Sequence, residues 1–135
     1  MAAYSFQKQF VPLIESGAKR STIRQRRKNG YLPRQGDVLK LYTGMRTKAC
    51  RLVAEVAVTE VKPIVIYSRH GCADVILDAK QLSDWEVMEL AHADGFKSIQ
   101  AFADFFEDKY GHELQAYMIK WEPLGSHAGD EERTK

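Results

Sequence analysis

Lys19 and Thr22 stand three residues apart, with Arg20 between them and Arg24 two residues beyond, where a helical pattern gives way to an extended one. A threonine hydroxyl is a poor nucleophile until a base takes its proton. A lysine serves as that base only when desolvation or nearby positive charge lowers its pKa toward neutrality. Arg20 and Arg24 are expected to supply that charge. A carboxylate close by would orient the lysine or hand a proton to a leaving amine. The same residue types have a plainer use, in which Lys19 and Arg24 grip phosphate and Thr22 is an ordinary β-branched strand residue. A second group is Tyr42-Thr43-Gly44-Met45-Arg46-Thr47-Lys48, an aromatic followed by a tight turn with two cations. Such a loop can stack a base on Tyr42 while Arg46 and Lys48 meet phosphate, as single-stranded RNA is commonly held. Otherwise it is a hairpin whose tyrosine packs on a barrel rim.

Both groups lie in the most basic part of the chain. The whole sequence has 20 Lys/Arg and 18 Asp/Glu, a net charge of +2, yet Gly17 to Arg51 holds 11 of the cations and only one acid, Asp37. Such an excess is the footprint of a surface that holds or steers phosphates, or else a solvated basic face. His70, His92 and His112 fall in unrelated segments and His127 lies near the end, so no zinc spacing arises and no metal site or cofactor is assigned. Cys50 and Cys72 form no C-x-x-C and read as reduced, structural cysteines. No apolar run reaches the roughly 18 residues of a membrane span. The first residues lack the basic-then-apolar pattern of a secretory signal. A cytoplasmic monomer without a membrane partner is expected.

The elements that must position these residues follow from periodicity. With 135 residues and 44% hydrophobic composition the chain can bury one core, and it reads as one domain over 1–124 with a flexible tail over 125–135. Phe10, Leu13 and Ile14 repeat at helical spacing up to Gly17, and Arg20 to Arg24 reads as a strand. Gln25 to Gly36 is a basic surface loop. Val38, Leu39 and Leu41 start a strand that ends at Gly44, and Leu52, Ala54, Val56 and Val58 alternate on one side of another from Ala49 to Lys62. Pro63 to Tyr67 and Asp74 to Leu77 are short separate strands flanking a turn at Arg69-His70-Gly71. Ser83 and Glu86 form a capping box for a helix through Trp85, Met88 and Ala91 that stops at Gly95. Ser98 caps a second, in which Ile99, Phe102, Ala103, Phe106 and Tyr110 form a core stripe. Leu114 to Trp121 is the last strand.

Three stretches together carry a family resemblance: Gly17-Ala18-Lys19-Arg20-Ser21-Thr22-Ile23-Arg24, Gly36-Asp37-Val38-Leu39, and Asp94-Gly95-Phe96 ahead of a helix. In order and spacing they resemble the ASCH domains of the PUA-like superfamily, with a G-x-K-x-x-T-x-R signature, a G-D opening the next strand and an E-G-F-like element. The resemblance runs from about Ala3 to Pro123. It implies an α+β fold, a partly closed PUA-like barrel with about three helices, and a cleft bordered by the first helix and the following strand. Some ASCH proteins are amidohydrolases toward N4-acylated cytidines that use a Lys, a Thr and a Glu. By that resemblance Lys19 is the base, Thr22 the nucleophile and Asp94 the supporting acid, one methylene shorter than the family's Glu. Arg24, Tyr42, Arg46 and Lys48 would bind substrate. The expected function is deacylation of an N4-acetylcytidine-type nucleoside. The alternatives are an RNA-binding module that holds single-stranded or modified RNA without chemistry, and a ribonuclease using Tyr42 and Lys48.

Overall fold

The computed structural model describes residues 2–124; the expected tail lies outside them. Its longest element is β4 (Arg51–Arg69), whose Val56, Val58, Ile64 and Ile66 send alternate side chains into the core, as β-branched residues do on a half-buried strand. Val56 pairs with both Leu39 and Pro123, and Ile64 with both Leu77 and Ala116. One edge of β4 therefore takes β3 (Val38–Thr43) and then β5 (Cys72–Leu77), and the other takes β7 (Glu113–Pro123). β7 pairs in turn with β2 (Ser21–Arg24), β3 pairs in parallel with β1 (Ala2–Phe6), and the short β6 (Lys80–Gln81) extends β5.

No backbone ladder joins β1 to β2. The two nevertheless come within side-chain reach, since Arg24 Nη2 donates to Ser5 O at 2.7 Å and Arg27 Nη2 donates to Ala3 O. The fold is thus α+β, a partly open PUA-like barrel with an unlaced seam between β1 and β2.

Among the described residues, helices fill in around the sheet. α1 (Val11–Ser16) follows a 3-10 turn at Lys8–Phe10, accepts Pro12 in its first turn, where no N–H is needed, and ends at Gly17. α2 (Asp84–Ala93) has the expected capping box, with Ser83 Oγ accepting from Glu86 N and Glu86 Oε1 from Ser83 N. α3 (Ile99–Tyr110) starts at Ser98, whose Oγ accepts from Ala101 N, and buries Phe102, Ala103 and Phe106. Phe96 meets Phe10 and Phe102 edge-on, each at 5.5 Å between ring centroids, and so ties the 3-10 turn ahead of α1 to α3. None of the helices among the described residues is long and apolar enough to cross a membrane.

Four details depart from the sequence expectations. Pro63 does not divide β4. Its carbonyl accepts from Asp78 N, so its missing N–H points to the edge where β3 has ended and β5 begins, and no ladder bond is lost there. Leu52 is 42% exposed, because a bulge opposite Leu41 and Tyr42 shifts the register and turns it out of phase with Val56. Trp85 is 63% exposed while Val87 and Ala91 are buried. Six helical steps carry Trp85 about 120° round from Ala91, so the two cannot share a face. Cys50 and Cys72 are free, as read, but exposed rather than structural: Cys50 lies in the turn before β4 and Cys72 opens β5.

Candidate active site

Lys19 lies between α1 and β2, its backbone N–H held by Leu13 O at 2.9 Å. That bond folds the chain back over α1 and sends the side chain inward, where it is only 3% exposed. Nζ donates to Asp94 Oδ1 and to Asp94 O, both at 2.7 Å, and sits 5.0 Å from the Phe10 ring centroid. Asp94 is 4% exposed and caps the end of α2, its own N–H on Leu90 O. The next residue explains how so short a carboxylate reaches the lysine. Gly95 has φ +101°, and a Cβ there would lie 2.9 Å from Phe10 Cδ1 and 3.1 Å from Leu13 Cδ1. Without a side chain the loop settles directly onto the start of α1.

Thr22 is 4% exposed, and its Oγ1 accepts from Arg24 Nε at 3.0 Å. The Arg24 guanidinium is held in turn by Ser5 O and by the faces of Phe6 and Tyr4, 4.6 and 5.1 Å from their centroids. β1 and β2 thus bring Thr22 and Arg24 to the seam, while α1 and the end of α2 bring Lys19 and Asp94 to the same place. Side chains of α3, among them Phe105, Lys109 and Tyr110, close it over. The resulting cleft has a volume of about 50 Å³.

Burial is the largest influence on both members of the buried pair. It pushes Lys19 below the usual lysine range against the pull of Asp94, with Arg24 adding to the lowering. Asp94 is pushed above the usual carboxylate range by burial, against the opposing charges of Lys19 and Arg24. A low-dielectric site penalises both charged forms, so burial shifts the pair toward the neutral amine and the protonated carboxyl, against the attraction of the two charges. Arg20, expected to help lower Lys19, does not: its exposed side chain turns back to Gly17 O at 3.1 Å and takes no part. Burial also raises Tyr110 against the pull of Arg24, and lowers Lys109 with help from Arg24.

No family model matches the chain, and no curated protein does. Two solved structures are similar over nearly its whole length. Hypothetical protein PH0355 has a TM-score of 0.54 at 16% identity, covering 91% of this chain and 98% of that one. A mutant of ZmASCH from Zymomonas mobilis has a TM-score of 0.53 at 16% identity, covering 98% of this chain and 79% of that one.

The chain has an ASCH-like fold.

Within this ASCH-like fold Lys19, Thr22, Arg24 and Asp94 line one cleft, although 75 residues separate Lys19 from Asp94. The second group of expected ligand residues is divided. Arg46 lines an adjoining groove of about 620 Å³ that shares Ser5 and Arg24 with the cleft. Tyr42, half-buried on β3 opposite Ser5, and Lys48, exposed in the following turn, line neither space. Among the described residues no three His, Cys, Asp or Glu side chains gather as metal ligands. Sequence reasoning missed Lys109, Phe105 and Tyr110. Tyr110 was placed in the core stripe, yet it stacks on Phe106 at 6.0 Å and reaches the cleft. Its place one turn beyond the last buried aromatic, next to a cation and the Gly111 stop, was the available signal.

Proposed function

We propose that this chain is an amidohydrolase that removes the acyl group from the exocyclic amine of an N4-acylated cytidine. The observation that carries the reading is the Lys19–Asp94 pair, buried in the same small cleft as the Thr22 hydroxyl. Desolvation brings the lysine amine toward its neutral form, the form a base requires. Arg24 already donates to Thr22 Oγ1, which leaves the hydroxyl proton free to pass to that amine. The ASCH-like fold and the G-x-K-x-x-T-x-R stretch support the same reading.

In this mechanism Thr22 Oγ1 attacks the acyl carbonyl carbon while Lys19 Nζ takes the hydroxyl proton. The carbonyl electron pair moves onto oxygen, and Arg24 supplies positive charge beside the developing oxyanion. Collapse breaks the bond to cytosine N4, which receives the proton held by Lys19. Water, activated by the same amine, then hydrolyses the acyl-threonine ester to the free carboxylic acid. Asp94 fixes Lys19 Nζ and shares its proton. A cleft of about 50 Å³ has room for roughly three or four water-sized groups, which suits a short acyl group and not a whole nucleoside.

One observation favours a second reading, an RNA-binding module without chemistry: the Lys19 ammonium gives its hydrogen bonds to Asp94, and Thr22 Oγ1 is bonded to Arg24 rather than to Lys19. Incubating purified protein with a panel of acylated cytidines and following acyl release separates the two. Thr22→Ala and Lys19→Ala should each lower turnover by about 10² to 10⁴-fold, and the double variant should be scarcely worse than either, because the two act as a unit. Turnover near wild type in Thr22→Ala would remove the nucleophile and leave the binding module.

A further inference from the structure

We propose that the groove beside the cleft is a phosphate subsite, so that the cytidine acted on carries a phosphate on its ribose and is not the free nucleoside. This rests on the cleft being the place where the acyl group is removed. The groove opens from the cleft through Ser5 and Arg24, and it is lined by three arginines, Arg24, Arg27 and Arg46, and by no acid. None of the three is paired with a carboxylate among the described residues, although some exposed cations elsewhere are: Arg51 with Glu15, Lys80 with Glu86, Lys62 and Lys120 with Glu60. Three guanidinium groups around one groove repel each other until an anion lies between them, and their planar donor edge matches a phosphate.

Two of the arginines are fixed in place. Arg24 and Arg27 hold the carbonyls of Ser5 and Ala3, and Arg27 lies over the Tyr4 ring at 4.6 Å. The Arg46 side chain, by contrast, makes no hydrogen bond, ion pair or ring contact among the described residues. Its backbone has φ +68° at the third position of a turn closed by Thr47 N on Gly44 O at 3.1 Å. Gly or Asn is the usual occupant there, and the turn sets the arginine on the groove. Size points the same way. A cleft that admits only the acyl group and the edge of a base leaves ribose and phosphate to lie outward, along the groove of about 620 Å³.

The test needs no turnover. Isothermal titration of the wild-type protein compares cytidine, cytidine 5′-monophosphate and a cytidine-centred RNA trinucleotide, none of them acylated. A phosphorylated ligand is expected to bind at least about tenfold more tightly than cytidine, the worth of one charge-assisted hydrogen bond. An advantage already present in the monophosphate assigns the subsite to nucleotides; one confined to the trinucleotide assigns it to RNA. Arg46→Gln should shrink the advantage, and Arg46→Glu should abolish it. Neither variant removes an internal contact, so the fold is not at stake. Equal affinity for cytidine and both phosphorylated ligands, or an advantage untouched by both variants, overturns the proposal. Absence of acyl release from every acylated probe, with the phosphate advantage intact, would instead defeat the amidohydrolase reading alone.

Discussion

Lys19 is under two opposed electrostatic pulls beyond its burial: Asp94 favours its ammonium form and Arg24 disfavours it. If Lys19 must be neutral to act, turnover rises with pH through its pKa, and the position of that limb reports the two neighbours separately. Asp94→Asn removes the charge that favours protonation, so the limb should move to lower pH, with a fall in maximal turnover as the lysine loses its anchor. Arg24→Gln removes the charge that opposes protonation, so the limb should move to higher pH. The pH dependence of acyl release in the two variants checks this, and movement in the same direction would exclude Lys19 as the titrating base. That Lys19, Thr22 and Arg24 fall close together was legible in sequence because they lie within six residues where a helix gives way to β2. That Asp94 joins them was carried by family resemblance alone, since spacing says nothing about a contact across 75 residues.

The elements that bring Asp94 to Lys19 depend on one small position. Gly95→Ala would place a methyl against Phe10 and Leu13 at a φ of +101°, and it should cost about 1 to 3 kcal/mol of stability. It should also lift the Asp94 loop off α1, so acyl release is expected to fall further than the loss of folded protein explains. Thermal unfolding and turnover measured on one preparation give both numbers. Most elements were readable because their signals were local: the capping box at Ser83, the Ser98 cap, Gly17 as a stop, and the period-two run through Val56 and Val58. The misreadings arose where tertiary context outweighed local pattern. Pro63 sits in an unbroken strand because of what its neighbours leave unpaired. Trp85 points outward although it is apolar, and Tyr110 lines a cleft although it continues a core stripe.

Across the whole molecule, the concentration of positive charge between Gly17 and Arg51 has a shape that sequence could not give. Part of it is spent internally, on Asp94 and Glu15, and of the cations without a carboxylate partner among the described residues, Arg24, Arg27 and Arg46 are the three that line the groove beside the cleft. Short single-stranded RNA should therefore bind with a modest salt dependence. A log–log slope of roughly −2 is expected, as about three phosphates would give; fluorescence anisotropy at several salt concentrations measures it, and a slope near −6 would mean that the wider basic surface takes part. The open seam carries a different consequence. β1 pairs with β3 along one edge, and Ala3 and Ser5, alternate residues, present their carbonyls together on the other. An uncovered strand edge of this kind can recruit a strand from another molecule. Arg24 and Arg27 occupy those two acceptors and set charge beside them, so the residues that would greet an anionic ligand are also expected to discourage pairing between copies of the chain. Arg27→Ala should accordingly leave the circular dichroism spectrum of the native protein unchanged while shortening the time to visible light scattering at elevated protein concentration.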